Sequence, residues 1–210
     1  THARRQHRWV RGDWQLLPWL LPFIPSRRGW IRNRLPAMAQ WKILDNLRRS
    51  LVPPATLLLL VFGWTVLPGR AWVWTAVAIA AMWVPLLSSC LDIIMGPRPG
   101  QGWRLHLLAS AEELRMTVVR TAVQMTLVAN ESWERLHAIG VTLVRLAVTQ
   151  RRLLEWETMA ASAERGGQTR LSGFVREMAA SPVVAVAAAL AIATVRPSSL
   201  GTAGPFLALW

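Results

Sequence analysis

Apolar and charged residues are segregated into blocks along the chain. Residues 53–67 carry no charge, and the run from residue 71 to residue 95 is almost entirely apolar. The Pro68-Gly69 step between the two runs is typical of a tight turn. Because a helix of at least about 17 apolar residues can cross a hydrocarbon core, this pattern predicts a transmembrane helical hairpin over residues 51–95.

A second uncharged region lies near the end of the sequence. Residues 178–195 are rich in Ala and Val and predict a third membrane span, and residues 205–210 are expected to begin a fourth. Residues 178–210 are therefore interpreted as a second, truncated transmembrane hairpin. Because the sequence begins at Thr1 rather than at Met and stops within this apolar run, it is interpreted as a fragment of a longer protein.

Two shorter patterns precede the first hairpin. Residues 16–25 are apolar but contain three prolines, which disfavours a continuous helix or strand and predicts an irregular segment at a membrane interface. In residues 40–51 the apolar positions follow helical spacing with charged residues opposite them, which predicts an amphipathic helix on the membrane surface. Ser50 is a candidate N-cap for a new helix whose first turn accepts Pro53 and Pro54.

Residues 104–157 show amphipathic helical periodicity that includes several arginines. Arg115 and Arg120 would each cost about 2.5 to 3.5 kcal/mol within a bilayer, so a lipid-facing span is disfavoured. The pattern predicts a pair of helices with a break near Asn130, and interfacial, re-entrant and cytosolic placements all remain open. The small and polar residues 163–169 are interpreted as a linker.

Composition and charge support a membrane protein. Of all residues, 53% are hydrophobic, the mean hydropathy is positive, and the formal net charge is +13. The arginines are concentrated in residues 1–50 and 96–177, so the positive-inside tendency places both regions on the cytoplasmic side of a bacterial inner membrane. Nucleic-acid binding is disfavoured, because the largest basic cluster adjoins a hydrophobic run. The predicted fold is an all-α, polytopic membrane protein fragment with transmembrane hairpins and amphipathic interfacial helices.

Candidate chemistry is concentrated in residues 4–15, where arginines and two tryptophans surround a Gly-Asp step. These residue types can hold an anion beside a flat group, although an interfacial membrane anchor has the same composition. A metal site is disfavoured: Glu131, Glu134 and His137 have the spacing of half a di-iron motif, but a second Glu-x-x-His is absent. The single Cys90 excludes an intrachain disulfide framework.

The segment Arg8-Trp9-Val10-Arg11-Gly12 resembles part of the QxxRW motif of processive membrane glycosyltransferases. Arg5 stands where that motif has Gln. The longer run from His7 to Gln15, followed by Pro18-Trp19-Leu20-Leu21-Pro22, is similar to the cyclic β-1,2-glucan synthases. Two later segments, residues 41–53 and 151–156, resemble the same family in the same order.

This resemblance implies a glycosyltransferase that moves glucosyl units from UDP-glucose to a growing β-1,2-glucan. Arg8 would approach the UDP diphosphate, Trp9 would stack on the acceptor sugar, and Arg11 would steady the phosphates or lipid headgroups. Arg5 is the fourth candidate, at the position where the motif is least well matched. Residues 1–50 would be the end of the glycosyltransferase module.

The same resemblance implies that no catalytic residue lies in this chain, since the catalytic base would lie upstream of Thr1. The ligands of a divalent cation, Mg²⁺ or Mn²⁺, would lie there too. The chain alone is then expected to be inactive. A non-enzymatic basic membrane scaffold or transporter half is the alternative function, and an anionic-lipid anchor is a third possibility.

Overall fold

The computed structural model describes residues 2–26, 29–97, 100, 102–150 and 178–210, which are mainly helical. These residues form two compact units, Thr1–Ala55 with Ala129–Ser181 and Thr56–Val128 with Pro182–Trp210. The elements in chain order are α1 (His2–Gln15), a 3-10 helix (Leu17–Leu20), β1 (Phe23–Ser26), β2 (Gly29–Arg32), α2 (Ala37–Thr65), α3 (Ala71–Met82), α4 (Val84–Met95), α5 (Trp103–Val144), a π-helical turn (Arg145–Thr149), α6 (Ala180–Val195), a second 3-10 helix (Pro197–Ser199) and α7 (Leu200–Leu209).

The prediction of a polytopic membrane fold is wrong. Within the described ranges, no helix combines the length and the apolar composition needed to span a bilayer. The apolar run that ends at Met95 is divided at Trp83 into α3 and α4, each of 12 residues. A helix of this length extends about 18 Å, well short of a hydrocarbon core of about 30 Å. The sidedness predicted for residues 1–50 and 96–177 stays a prediction.

The proline-containing residues 16–25, predicted to be irregular, include a 3-10 helix and most of the first strand of a β-hairpin, which is the exception to the mainly helical structure of the described residues. Strands β1 and β2 are antiparallel, with Phe23 opposite Arg32 and Ile24 opposite Ile31. Pro25 is tolerated within β1 because a two-stranded sheet consists only of edge strands. Asn33 holds the chain after the hairpin, since its amide nitrogen donates to the carbonyl oxygen of Trp19 at 2.6 Å.

Helix α2 continues through Pro53 and Pro54, although the sequence predicted a new helix capped at Ser50. Pro53 has no N–H to donate to the carbonyl of Arg49, four residues earlier. That carbonyl instead accepts a hydrogen bond of 3.0 Å from Nη1 of Arg135 on α5. A side chain distant in sequence therefore supplies the donor that the proline lacks.

Arg135 is itself held by a carboxylate one helical turn away. Its Nη2 donates to Oε2 of Glu131 at 2.9 Å, and its side chain is largely buried. Burial lowers the pKa of Arg135, and the negative charges of Glu131 and Glu134 oppose that shift. The ion pair stabilises the charged guanidinium in the position where it bonds the backbone of α2.

Helix α5 is uninterrupted from Trp103 to Val144, so the predicted break near Asn130 is wrong. The sequence contains no Gly or Pro between Trp103 and Ile139, and a single Asn costs a helix only a few tenths of a kcal/mol, on the order of 0.7 at most. The predicted linker at residues 163–169 lies outside the described residues, as does the predicted helix beyond residue 150.

The second unit has an aromatic core around Trp64 of α2. This side chain is fully buried, and its Nε1 donates to Oγ1 of Thr75 on α3 at 2.8 Å. Its ring lies 5.7 Å from that of Phe206 and 5.8 Å from that of Trp210. Arg196 donates to the carbonyl oxygens of Leu67 and Gly69 in the turn after α2. The last residues of the chain thus pack on the corner between α2 and α3.

Gly63→Ala is expected to lower the free energy of unfolding of the second unit by about 1 to 3 kcal/mol, because a side chain there overpacks a close helix contact. A Cβ atom at Gly63 would meet the Cβ of Trp74 and lie 3.0 Å from its Cγ. Urea denaturation followed by far-UV circular dichroism measures the change.

Gly140→Ala is the matched control, since Gly140 is also inside a helix but has open space where a Cβ atom would stand, with no neighbouring atom within 4 Å. Its replacement is expected to raise the free energy of unfolding by up to about 1 kcal/mol, through higher helix propensity. Equal effects of the two substitutions would contradict the close approach of α2 and α3 at Gly63.

Candidate functional site

The candidate site is the exposed part of α1, and the opposite face of this helix is attached to the first unit. Val10 is buried against Ala138 and Ile139 of α5, and Trp14 packs beside them. Val10 and Trp14 are four residues apart and therefore lie on the same side of a helix. This apolar contact fixes which side of α1 faces outward.

Two polar contacts attach the C-terminal half of α1 to α2. Nε1 of Trp14 donates to Oγ of Ser50 at 2.8 Å, and Nδ2 of Asn46 donates to Oδ1 of Asp13 at 3.3 Å. Burial raises the pKa of Asp13, whereas the hydrogen bond from Asn46 lowers it. Asp13 thus has a structural role here, and Ser50 receives the indole N–H rather than capping a helix.

A third polar contact joins α1 to α5. Nε2 of His7 lies 3.1 Å from Nδ1 of His137, and the two ring centroids are 5.3 Å apart. Burial, followed by the nearby His137, Arg11 and Arg145, lowers the pKa of His7. Helix α1 is therefore attached to its neighbours both before and after residues 8 and 9 along the chain.

The predicted site residues occupy two different sides of α1. Trp9 is 59% exposed, and Arg5 is exposed one helical turn earlier, so these two share a side. Arg8 and Arg11 are half-buried, lie one turn apart on the adjacent side, and both interact with neighbouring groups. The helix brings Arg5 to Trp9 and Arg8 to Arg11, while the side chains of Arg8 and Trp9 diverge by about 100°. Their assignment to substrate stays a prediction.

The predicted site residues on α1 are arginines and a tryptophan, which are suited to binding anions and flat groups. Among the described residues, no group of three His, Cys, Asp or Glu side chains could hold a metal ion. Glu131 pairs with Arg135, and His137 contacts His7, so the residues of the Glu-x-x-His pattern have other partners. The divalent cation that the family resemblance implies, with its ligands outside this chain, stays a prediction.

Comparison with known proteins identifies the family. No protein-family profile matches the chain. It is 35% identical over 208 residues, or 98% of its length, to the cyclic beta-(1,2)-glucan synthase NdvB of Rhizobium meliloti (strain 1021). The chain belongs to the cyclic β-(1,2)-glucan synthase family. It spans 7% of the length of that relative. The family resemblance predicted from the RWVRGDWQ segment is confirmed.

The chain also has a groove that the sequence did not predict. The groove has a volume of about 520 Å³ and lies beside the β-hairpin, lined by apolar side chains together with Trp19, Arg32 and Arg34. Asn33 is in the lining too, but its amide is engaged with backbone groups on either side. Gly29, which has a φ of 97° and separates two short apolar stretches, is the sequence signal that could have indicated a hairpin here.

Proposed function

We propose that this chain supplies part of the substrate-binding region of a glycosyltransferase that synthesises cyclic β-(1,2)-glucan. The reaction is glucosyl transfer from UDP-glucose to the growing glucan. The observation that supports this best is the 35% identity to a cyclic beta-(1,2)-glucan synthase over 98% of the chain. The attached helix α1, which presents an exposed indole beside arginines, is consistent with sugar and phosphate binding.

Arg8 is proposed to bind the diphosphate of UDP-glucose. A guanidinium group offers planar, charged donors that match phosphate oxygens, and its charge persists at any physiological pH. Arg11 lies one helical turn away on the same side and adds positive charge to that region. Because both side chains are half-buried, their guanidinium groups have less freedom to lose on binding than those of fully exposed arginines.

Trp9 is proposed to stack on a pyranose ring of the growing glucan. Its exposed indole offers a large flat apolar surface, and the axial C–H groups of a pyranose fit such a surface. The side chains of Trp9 and Arg8 diverge along α1, so one helix can contact the sugar and the nucleotide on adjacent sides. Arg5 lies beside Trp9 and can donate hydrogen bonds to sugar hydroxyls.

The proposed contribution is binding and orientation. A divalent cation, Mg²⁺ or Mn²⁺, is proposed for the complete enzyme, where it would neutralise diphosphate charge. The described residues offer no ligand cluster for it, and the catalytic base is not assigned to any of them. Both functions are proposed to come from residues other than those described.

Arg8→Ala in the complete protein is expected to raise KM for UDP-glucose by about 10- to 150-fold, which corresponds to the roughly 1.5 to 3 kcal/mol of a charged hydrogen bond. Incorporation of radiolabelled glucose from UDP-glucose into cyclic glucan measures the effect. Arg8→Lys retains the charge but loses the planar donors, so an intermediate KM is expected.

Arg120→Ala is the control, since Arg120 is an exposed arginine on α5 within the second unit. Its kinetics should match those of the unmodified protein. Unchanged KM in Arg8→Ala would contradict the assignment of Arg8. If the unmodified complete protein made no glucan from UDP-glucose, a non-enzymatic scaffold would replace the enzyme proposal.

A further inference from the structure

The two imidazoles that join α1 to α5 form a contact suited to a hydrogen bond. The distance of 3.1 Å between Nε2 of His7 and Nδ1 of His137 is within the range of N–H···N bonds, and the rings are inclined by 37°. Each neutral imidazole has one donor and one acceptor nitrogen, so the bond forms when one of the two facing nitrogens carries the proton and the other is bare. When both rings are protonated, both nitrogens are donors and the bond is lost.

The position of His7 relates this contact to the candidate site. His7 immediately precedes Arg8 and Trp9, whereas the contacts of Val10, Asp13 and Trp14 follow them. Arg8 and Trp9 are thus bracketed by attachments on both sides. Loss of the histidine contact would leave the helix attached from Val10 onward while its N-terminal side gains freedom.

The surroundings of the pair disfavour additional positive charge. Arg11 on α1 and Arg145 in the π-helical turn are cations that oppose a positive charge on His7, and a charge on His137 of α5 would oppose it too. Burial acts in the same direction and is the largest cause of the lowered pKa of His7. The neutral form of His7 is therefore the form that this environment stabilises.

We propose that His7 and His137 are positioning residues, whose neutral N–H···N hydrogen bond fixes the N-terminal side of α1 and so orients Arg8 and Trp9 toward nucleotide sugar and glucan. A positive charge on His7, beside Arg11 and Arg145, weakens the attachment of that side of the helix. The kinetic part of this inference rests on the proposed function, whereas the release of α1 does not. Neither histidine takes part in proton transfer with substrate.

The direction of the pH dependence follows from the lowered pKa of His7. In the unfolded chain the histidine has its ordinary pKa of 6.5, and in the folded protein the value is lower. The unfolded or detached form therefore binds more protons between the two values. The attachment contributes fully above about pH 6.5 and weakens as the pH falls below it.

Hydrogen–deuterium exchange of the complete protein tests the attachment without relying on activity. The peptide that contains residues 2–15 is compared at about pH 5.5 and pH 7.5, near either side of the ordinary histidine value, after correction for intrinsic exchange. Protection is expected to fall by about 3- to 10-fold at the lower pH, the size of effect expected for the loss of one hydrogen bond. Equal protection at both pH values would overturn the inference.

The double variant His7→Gln, His137→Asn is designed to keep the bond but remove its titration. The side-chain nitrogen of Gln stands near that of Nε2, and the terminal amide of Asn stands near Nδ1, so an N–H···O bond can replace the N–H···N bond. Protection of residues 2–15 is expected to be independent of pH in this variant. Persistence of the full pH effect would show that other groups cause it and would overturn the inference.

Kinetics of glucan synthesis connect the attachment to the site. His7→Ala is expected to raise KM for UDP-glucose by about 3- to 10-fold at pH 7.5, with a smaller change in kcat, and the double variant is expected to restore most of this loss. His106→Gln, in the second unit, should leave KM and kcat unchanged.

If exchange shows release of α1 while KM is unaffected, the positioning role is overturned. If no variant and no unmodified protein uses UDP-glucose, the proposed function fails while the attachment stands.

Discussion

Trp9→Ala is expected to lower kcat/KM for glucan synthesis by about 30- to 1000-fold, since buried tryptophan contacts at binding surfaces are commonly worth about 2 to 4 kcal/mol. Trp9 is 59% exposed without substrate, so its indole is available to cover a sugar ring. The proposed stacking would remove this surface from water, and alanine cannot replace it. Initial rates at several acceptor and UDP-glucose concentrations measure the effect.

The matched control is Trp133→Ala, because Trp133 of α5 lies in the same unit and is 55% exposed. Its replacement should leave the rates unchanged. Trp9→Phe keeps an aromatic surface and is expected to retain more activity than Trp9→Ala. Equal losses in Trp9→Ala and Trp133→Ala would indicate a general effect of exposed tryptophans and would contradict a sugar contact at Trp9.

Trp64→Ala is expected to lower the free energy of unfolding of the second unit by about 3 to 5 kcal/mol. Trp64 has no exposed surface, and its removal would leave a cavity between Phe206 and Trp210 while the hydroxyl of Thr75 loses a donor. Hydrogen exchange of residues 56–82 at increasing urea concentration measures the stability of this unit in the complete protein.

Trp72→Ala is the control for Trp64→Ala, since Trp72 is 56% exposed and its removal should change stability by less than about 0.5 kcal/mol. Trp64→Phe is expected to be less destabilising than Trp64→Ala, because the ring contacts are kept while the indole N–H is lost. A change below about 1 kcal/mol in Trp64→Ala would contradict the aromatic core around this side chain.

Local sequence patterns were sufficient to locate several helices. The amphipathic periodicity of residues 40–51 predicted a helix that forms part of α2, and the uncharged residues 178–195 predicted α6. The turn at Pro68-Gly69 is also present, with Gly69 at a φ of 85°. These features depend on side-chain spacing and on backbone preferences, both of which are encoded within a few residues.

Features that depend on distant residues could not be predicted in this way. Apolar runs predicted membrane spans, but hydrophobicity alone does not show whether a run forms one unbroken helix, and the run that ends at Met95 is divided at Trp83. Trp64 is covered by Phe206 and Trp210 from the far end of the chain. Helix α2 passes through Pro53 because Arg135 bonds the carbonyl of Arg49, a contact separated by 86 positions.

The candidate site was located through family resemblance rather than through a pattern that specifies its geometry. The RWVRGDWQ segment indicated the residues, whereas helix formation in α1 determines that Arg5 accompanies Trp9 and that Arg8 accompanies Arg11. The His7–His137 contact joins residues 130 positions apart, and nothing local to either histidine indicates the other. Long-range pairing of this kind requires the tertiary structure.

The packing of Trp64 has a consequence for biosynthesis. Phe206 and Trp210 follow Trp64 by more than 140 positions in the sequence. At about 5 to 20 residues per second, a ribosome needs roughly 7 to 30 s to add them after Trp64 has been incorporated. During that interval the indole has not yet met its two aromatic partners, and Arg196 has not yet reached the carbonyls of Leu67 and Gly69. The nascent α2–α3 corner therefore exposes an aggregation-prone surface until the last residues of the second unit emerge.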